Sequence, residues 1–269
     1  MQGAKKTQIL CFDGDSRKSH SDAVVQEEPL EIRLETNGLR QTVNTTMRTC
    51  GHDFELAVGW CYAEGIINSL DDLTKVSYCV SNKLEQRFNV VNVKIKKSLM
   101  VTIPERLNLS TSACGVCGKA QLEALETDCK MLQSQLVISP ELLYTLPDKL
   151  RAAQKIFDAT GGIHAAALFS SLGELLALRE DVGRHNAVDK LVGWAIMQAQ
   201  PLENTILVVS GRAGFEIAQK SIRAKIPVLA SVSAPTSLAV DVAKRFDLTL
   251  IGFLRGQKMN VYAGFGRIA

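Results

Sequence analysis

From Thr205 onward the sequence alternates short, unbroken apolar runs with amphipathic stretches. "TILVVS", "PVLASVS" and "LTLIGF" are separated by "GFEIAQKSIRAK" and "PTSLAVDVAKRF". A run of four to six apolar residues with no polar alternation needs burial on both faces, which a strand sandwiched between helix layers obtains. Just upstream, "GIHAAALFSSLGELLALRED" predicts two strands joined by a turn at 170–173, followed by a helix over "HNAVDKLVGWAIMQAQ"; "MNVYAG" predicts a last short strand. The second half should therefore be a layered α/β sheet with helices packed on it.

The first half has a different grammar. In "PLEIRLETNGLRQTV", Leu30, Ile32 and Leu34 alternate with charged residues and stop at Asn37-Gly38, which predicts a hairpin with a type I′ turn. "HDFELAVGWCYAEGIINS" has helical composition, with Phe54, Ala57, Trp60 and Cys61 sharing a face, and "KVSYCV" and "FNVVNVKIK" follow as strands. A helix is expected over 119–136, and Pro140 marks a junction. Residues 1–28 read as a polar, irregular leader. The expected organisation is thus a leader over 1–28, a small α+β domain over 29–139, and a second domain over 140–269. A chain of 269 residues, 46% of them hydrophobic, can fill two modest cores.

Net charge and segment lengths exclude some functions. Lysine and arginine exceed aspartate and glutamate by only three, too few for a general nucleic-acid binder. No apolar run approaches the roughly 20 residues of a membrane-spanning helix, and the apolar core of "MQGAKKTQILCFDGDS" is too short for a secretory signal. A cytoplasmic protein is expected, without membrane or nucleic-acid partners.

Three strand ends share a pattern. "VVSGRAG", "ASVSAPTS" and "GFLRGQK" each leave an apolar strand for small, hydroxyl or basic residues, the place where open α/β sheets collect ligands. Pro235 suits a first helical turn, so Ser233, Thr236 and the nearby N–H groups could cradle an anion, with Arg212, Arg255 and Lys258 adding positive charge. Each end alone reads more readily as an ordinary helix cap with solvated cations; three together point to a phosphate-bearing ligand. "REDVGRHNAVDK" sets Arg184 and His185 at a dense polar helix start, which fits either a heterocycle grip or a salt-bridged cap. His164 opens a strand, where a satisfied core histidine is the plain expectation. His52 and Asp53 fall where an N-cap would.

Seven cysteines, an odd number, fit reduced thiols better than a disulfide framework. Cys11, Cys50, Cys61, Cys79 and Cys129 read as small packing or incidental thiols. Cys114 and Cys117, in "NLSTSACGVCGKAQLEALE", are set apart by their spacing. Such a pair can hold zinc, cycle as a disulfide or carry sulfur as a persulfide. Structural zinc needs a second ligand pair that the sequence lacks, and a thioredoxin-like pair follows a strand directly rather than a polar run. A thiolate near a helix N-terminus and Lys119, on a glycine-flanked loop, has the lowered pKa and reach that sulfur transfer requires.

"MRTCGHDFELAVGWCYAEGI", "CGVCGK", "TGGIHAAALF", "REDVGRHNAVDKLVG", "SGRAGFEIAQK", "ASVSAPTSLAV" and "GFLRGQKMNVY" together resemble the formate dehydrogenase accessory sulfurtransferases, the FdhD family. The resemblance implies that sulfur from a cysteine desulfurase is passed to the molybdenum cofactor, in its bis(molybdopterin guanine dinucleotide) form, for formate dehydrogenase. It implies a persulfide on Cys114 with Cys117 as companion, and a cofactor-binding segment over Phe253, Leu254, Arg255, Gly256, Gln257 and Lys258. Ser210, Gly211, Arg212, Ser233, Thr236, His164, Arg184 and His185 are the further candidates for contact with that cofactor or with a guanine nucleotide as its analogue. It also implies a homodimer and a cytidine-deaminase-like three-layer second domain. Deaminase chemistry itself is not expected, because no cysteine follows Cys129 to hold its zinc. Cys50 stands where the resemblance leads one to expect proline.

Overall fold

The computed structural model describes residues 3–36, 38–79, 88–96 and 129–269. The expected irregular leader is instead a hairpin: β1 (Ala4–Asp13) pairs antiparallel with β2 (Ser16–Val25) along ten registered positions. Most of its side chains are exposed, including Leu10 and Phe12, so backbone pairing rather than a core holds it. That is why hydropathy did not reveal it. Its root is fixed where Gly3 (φ +88°) passes under Ile156, whose Cδ1 lies 2.7 Å from the position of a Cβ.

The first half builds a four-stranded sheet in the order β4-β3-β6-β5, from β3 (Glu28–Thr36), β4 (Leu39–Arg48), β5 (Leu73–Tyr78) and β6 (Val90–Ile95). The β3–β4 hairpin closes with Thr36 opposite Leu39, and Gly38 takes φ +79°, which a side chain would disfavour. Asn37, on which the predicted turn type also depends, lies outside the described residues. Leu30, Ile32 and Leu34 of β3 and Val91 and Val93 of β6 bury against α1 (Asp53–Ala63), which contributes Leu56, Ala57 and Cys61. Phe54 and Trp60 are only half-buried, and burial runs around the helix instead of along the single expected face.

The second half is a six-stranded sheet in the order β12-β11-β10-β9-β7-β8. Its strands are β7 (His164–Ser170), β8 (Leu175–Asp181), β9 (Thr205–Val209), β10 (Val228–Ser231), β11 (Thr249–Arg255) and β12 (Lys258–Ala263). β9, β10 and β11 run parallel; the remaining pairs are antiparallel. Successive residues of β9 serve opposite cores: Leu207 and Val209 meet α4 (Arg184–Met197), α5 (Phe215–Arg223) and α6 (Ser237–Arg245), whereas Ile206 and Val208 meet α2 (Pro140–Ala153). Burial on both faces explains the unbroken apolar runs.

Two expectations between the halves are corrected. The helix over 119–136 does not extend through its last turns, since 129–136 has no helical structure, and the part up to 128 lies outside the described residues. Leu132 and Leu136 are spent on the two cores instead, and the Leu132 N–H bonds the Phe246 carbonyl at 3.0 Å. Pro140 is not only a junction. It begins α2 at the first helical position, after Ser139, whose Oγ accepts the Leu142 N–H at 3.3 Å. The helix continues past Pro147 because Leu143, Leu146 and Leu150 bury on the sheet, and α3 (Lys155–Thr160) follows at once.

Helices α1 and α4 join the halves. A Cβ on Gly59 would lie 1.9 Å from the Asp189 carbonyl oxygen, and one on Gly193 would lie 1.9 Å from that of Glu55. The two backbones therefore touch, and only glycine permits it.

Candidate ligand-binding site

The adjacency of β9, β10 and β11 brings the three polar strand ends side by side, as the sequence led us to expect. Their loops are stitched together. The Ala213 N–H bonds the Ala234 carbonyl at 3.2 Å, the Thr236 N–H bonds the Ala213 carbonyl at 3.1 Å, and the Phe253 N–H bonds the Ser233 carbonyl at 3.0 Å. Ser231 Oγ donates to the Gly211 carbonyl at 2.6 Å and accepts the Ser233 N–H at 3.0 Å. The N–H groups of Ser233 and Thr236 are thus consumed within the loops, which corrects the simple cradle. Pro235 sits before the N-cap Thr236 rather than in the first turn, so the free donors at this end are those heading α6 from Ser237 on. Phe253 adopts φ +54° within β11, at the irregularity in its pairing with β12 between Gly252 and Arg255, a conformation uncommon outside glycine.

Beside these loops lies a cleft of about 640 Å³, lined by Gln154, Phe157, His164, Ser210, Arg255 and Gly256 among others. Four of those six were candidates from the sequence. Gly211 packs on the His164 ring, with a would-be Cβ 3.2 Å from Nδ1 and 3.6 Å from the Cβ of Arg184. Burial, reinforced by the Arg184 charge and opposed by Asp181, pulls the His164 pKa below its ordinary value, so the imidazole is neutral at pH 7. It is therefore half-buried at the cleft wall rather than a satisfied core histidine. Arg184 Nε is buried without a partner among the described residues. Ser210 Oγ accepts the Ala165 N–H at 2.9 Å, leaving its own proton to donate elsewhere. Arg212, Gln257 and Lys258 are exposed outside the cleft lining, and the Leu254 side chain is fully buried in the core.

The other polar motifs turn inward. Arg179 bonds Glu55 of α1 through two nitrogens, at 2.5 and 2.7 Å. Glu180 accepts the Ile156 and Phe157 N–H groups, each at 2.9 Å, and so caps α3. Asp181 accepts from the Thr49 and Gly183 backbones and from Asn186, and pairs with Lys190 at 2.7 Å. Lys190 in turn donates to the Thr49 carbonyl at 2.8 Å. His185 stands 3.1 Å from Glu216, and it does not line the cleft. The salt-bridged cap is therefore the structural role of most of "REDVGRHNAVDK". Capping by His52 and Asp53 is corrected: His52 is the N-cap residue but in a left-handed conformation (φ 58°) with no side-chain cap bond, and Asp53 pairs with buried Arg48 at 2.9 Å.

The FdhD/NarQ family model matches residues 25–269. The chain belongs to the FdhD/NarQ family. Sulfur carrier protein FdhD of Streptomyces avermitilis is 52% identical over 274 residues, covering 98% of this chain and 95% of that one. The protein of the same name from Mycobacterium tuberculosis is 46% identical over 271 residues, covering 97% and 96%. That from Sulfurisphaera tokodaii is 43% identical over 265 residues, covering 98% of each. A crystal structure described as a formate dehydrogenase accessory protein from Desulfotalea psychrophila shares the fold, with a TM-score of 0.77 at 21% identity over 99% of each chain.

In this FdhD/NarQ chain Cys114 and Cys117 lie outside the described residues, as does Lys119. Among the described residues no cysteine forms a disulfide and no group of three His, Cys, Asp or Glu side chains could hold a metal. Cys61 is buried, and burial pushes its thiol well above the ordinary range, so it is inert. Cys50, in the position where the family resemblance favours proline, lines a separate cavity of about 440 Å³. No helix among the described residues is long and apolar enough to cross a membrane. The α2–α3 wall of the cleft, with Gln154 and Phe157, is what sequence reasoning missed; no motif in the sequence marks it.

Proposed function

We propose that this protein is a sulfurtransferase that accepts sulfane sulfur from a cysteine desulfurase and delivers it to the molybdenum cofactor in its bis(molybdopterin guanine dinucleotide) form, destined for formate dehydrogenase. The observation that carries the reading is the full-length similarity to proteins named sulfur carrier protein FdhD. The Cys114 thiolate attacks the terminal sulfur of the desulfurase persulfide, a new S–S bond forms, and the desulfurase thiolate leaves. For delivery, the Cys117 thiolate attacks Cys114 Sγ; hydrosulfide is released to the metal, and the resulting disulfide is reduced by a cellular dithiol. The cofactor is held as substrate in the cleft at the strand ends, whose rim cation Arg255 and hydroxyl Ser210 suit pyrophosphate and a polar heterocycle. A guanine nucleotide would occupy the same cleft as an analogue. The protein acts in the cytoplasm, as a homodimer.

Incubation with a desulfurase and cysteine should add 32 Da units to the peptide holding Cys114, a mass fixed by one sulfur atom. Cys114→Ser should abolish both this adduct and activation of the client dehydrogenase in cells. Full activation by Cys114→Ser would overturn the proposal and leave a cofactor-binding chaperone without sulfur chemistry.

A further inference from the structure

Five side-chain atoms among the described residues are buried with no hydrogen-bond partner, and one of them is Nε2 of Gln154. Gln154 is only 3% exposed, yet it is one of the residues that line the 640 Å³ cleft. The residue is the hinge between α2 and α3, with φ −80° and ψ 86°, outside the helical range. Its backbone is fully engaged: the N–H bonds the Arg151 carbonyl at 3.2 Å and the carbonyl accepts the Asp158 N–H at 3.2 Å. The backbone at this hinge is thereby held, while the side-chain Nε2 donor stays without a partner. A buried donor without an acceptor weakens a fold unless something else completes it. Three residues on, Phe157 lines the same cleft, and the Arg151 guanidinium lies 4.5 Å from the centre of its ring. An aromatic surface beside a carboxamide whose N–H is unpartnered is a setting for a flat ligand that carries an acceptor, with a donor beside it for the amide oxygen, on one edge.

We infer that Gln154 hydrogen-bonds through its side-chain carboxamide to the lactam edge of a purine ring seated in this cleft. The lactam oxygen accepts from the amide nitrogen, and the adjacent ring N–H donates to the amide oxygen. The inference rests on the reading that the cleft receives a guanine nucleotide, and it assigns the base end to the α2–α3 wall and the phosphate end to the Arg255 rim.

Calorimetric titration of the full chain with GDP and, separately, with inorganic pyrophosphate tests it. Gln154→Leu and Gln154→Glu should each weaken GDP roughly tenfold, the scale of one paired polar contact, while pyrophosphate affinity stays unchanged. The melting temperature of Gln154→Leu should hold or rise, because an unsatisfied donor has been removed; a purely structural glutamine predicts a fall. Equal weakening of both ligands, or of neither, overturns the assignment while leaving the cleft as a nucleotide site. Failure of the unaltered protein to bind GDP at all overturns the cleft reading itself, and this inference with it.

Discussion

His185 has a carboxylate partner and still resists protonation. Burial, followed by the charges of Arg184 and Lys220 and by His164, lowers its pKa from 6.5 to about 3, outweighing Glu216 at 3.1 Å. In the unfolded chain the same imidazole takes a proton near its ordinary value, so between those limits the unfolded state binds more protons and acid removes stability. His164, lowered for similar reasons, acts in the same direction. Urea unfolding midpoints should fall as pH drops from 7.5 to 5, and His185→Gln, which can still donate to Glu216, should flatten that slope; an unchanged slope would show that His185 does not contribute. At this scale the sequence named His164, Ser210, Arg255 and Gly256, which the fold gathers along one cleft, because each sits at a strand terminus that a small motif announces. It could not separate Arg184, with an idle Nε, from His185, turned toward α5, because one residue of register decides which side of a helix each faces.

Among the elements, the α1–α4 crossing is the most demanding contact in the fold. Gly193→Ala places a methyl group into the Glu55 carbonyl, and backbone cannot yield as a side chain can. We expect a loss of more than about 3 kcal/mol in chemical denaturation, in the range of severe overpacking; a variant within 1 kcal/mol of the parent would refute the backbone contact. Both helices were legible from composition, but the meaning of their glycines was not, since a glycine inside a helical pattern signals only weakness until the neighbour is known. Helix α2 was hidden by Pro140 and Pro147, although the pair Ser139-Pro140 is a start signal; the interior proline is tolerated because three leucines bury on the sheet beneath it. The β1–β2 hairpin was missed for the opposite reason, having almost no buried face to create a pattern.

For the whole molecule, two sheets with separate cores are tied into one body by polar bonds as well as by helices. Lys190 anchors this tie, holding Asp181 of the second sheet and the Thr49 carbonyl of the first half, with side chains 1% and 0% exposed in the ion pair. Lys190→Met leaves Asp181 buried without its cation, and should cost about 3–5 kcal/mol in equilibrium unfolding; a cost below 1 kcal/mol would mean that the remaining donors to Asp181 suffice. The α/β class and the order of strands and helices in the second half were legible because double burial writes itself into hydropathy. The tie was not, because charged residues in a sequence look alike whether they face water or each other. Its concealment has a consequence for the solution behaviour of the protein. Dissolved ions compete with exposed pairs such as Arg151–Asp158, but they have no access to Lys190–Asp181 or Arg48–Asp53. Brine should therefore loosen the periphery while the seam between the halves stays closed.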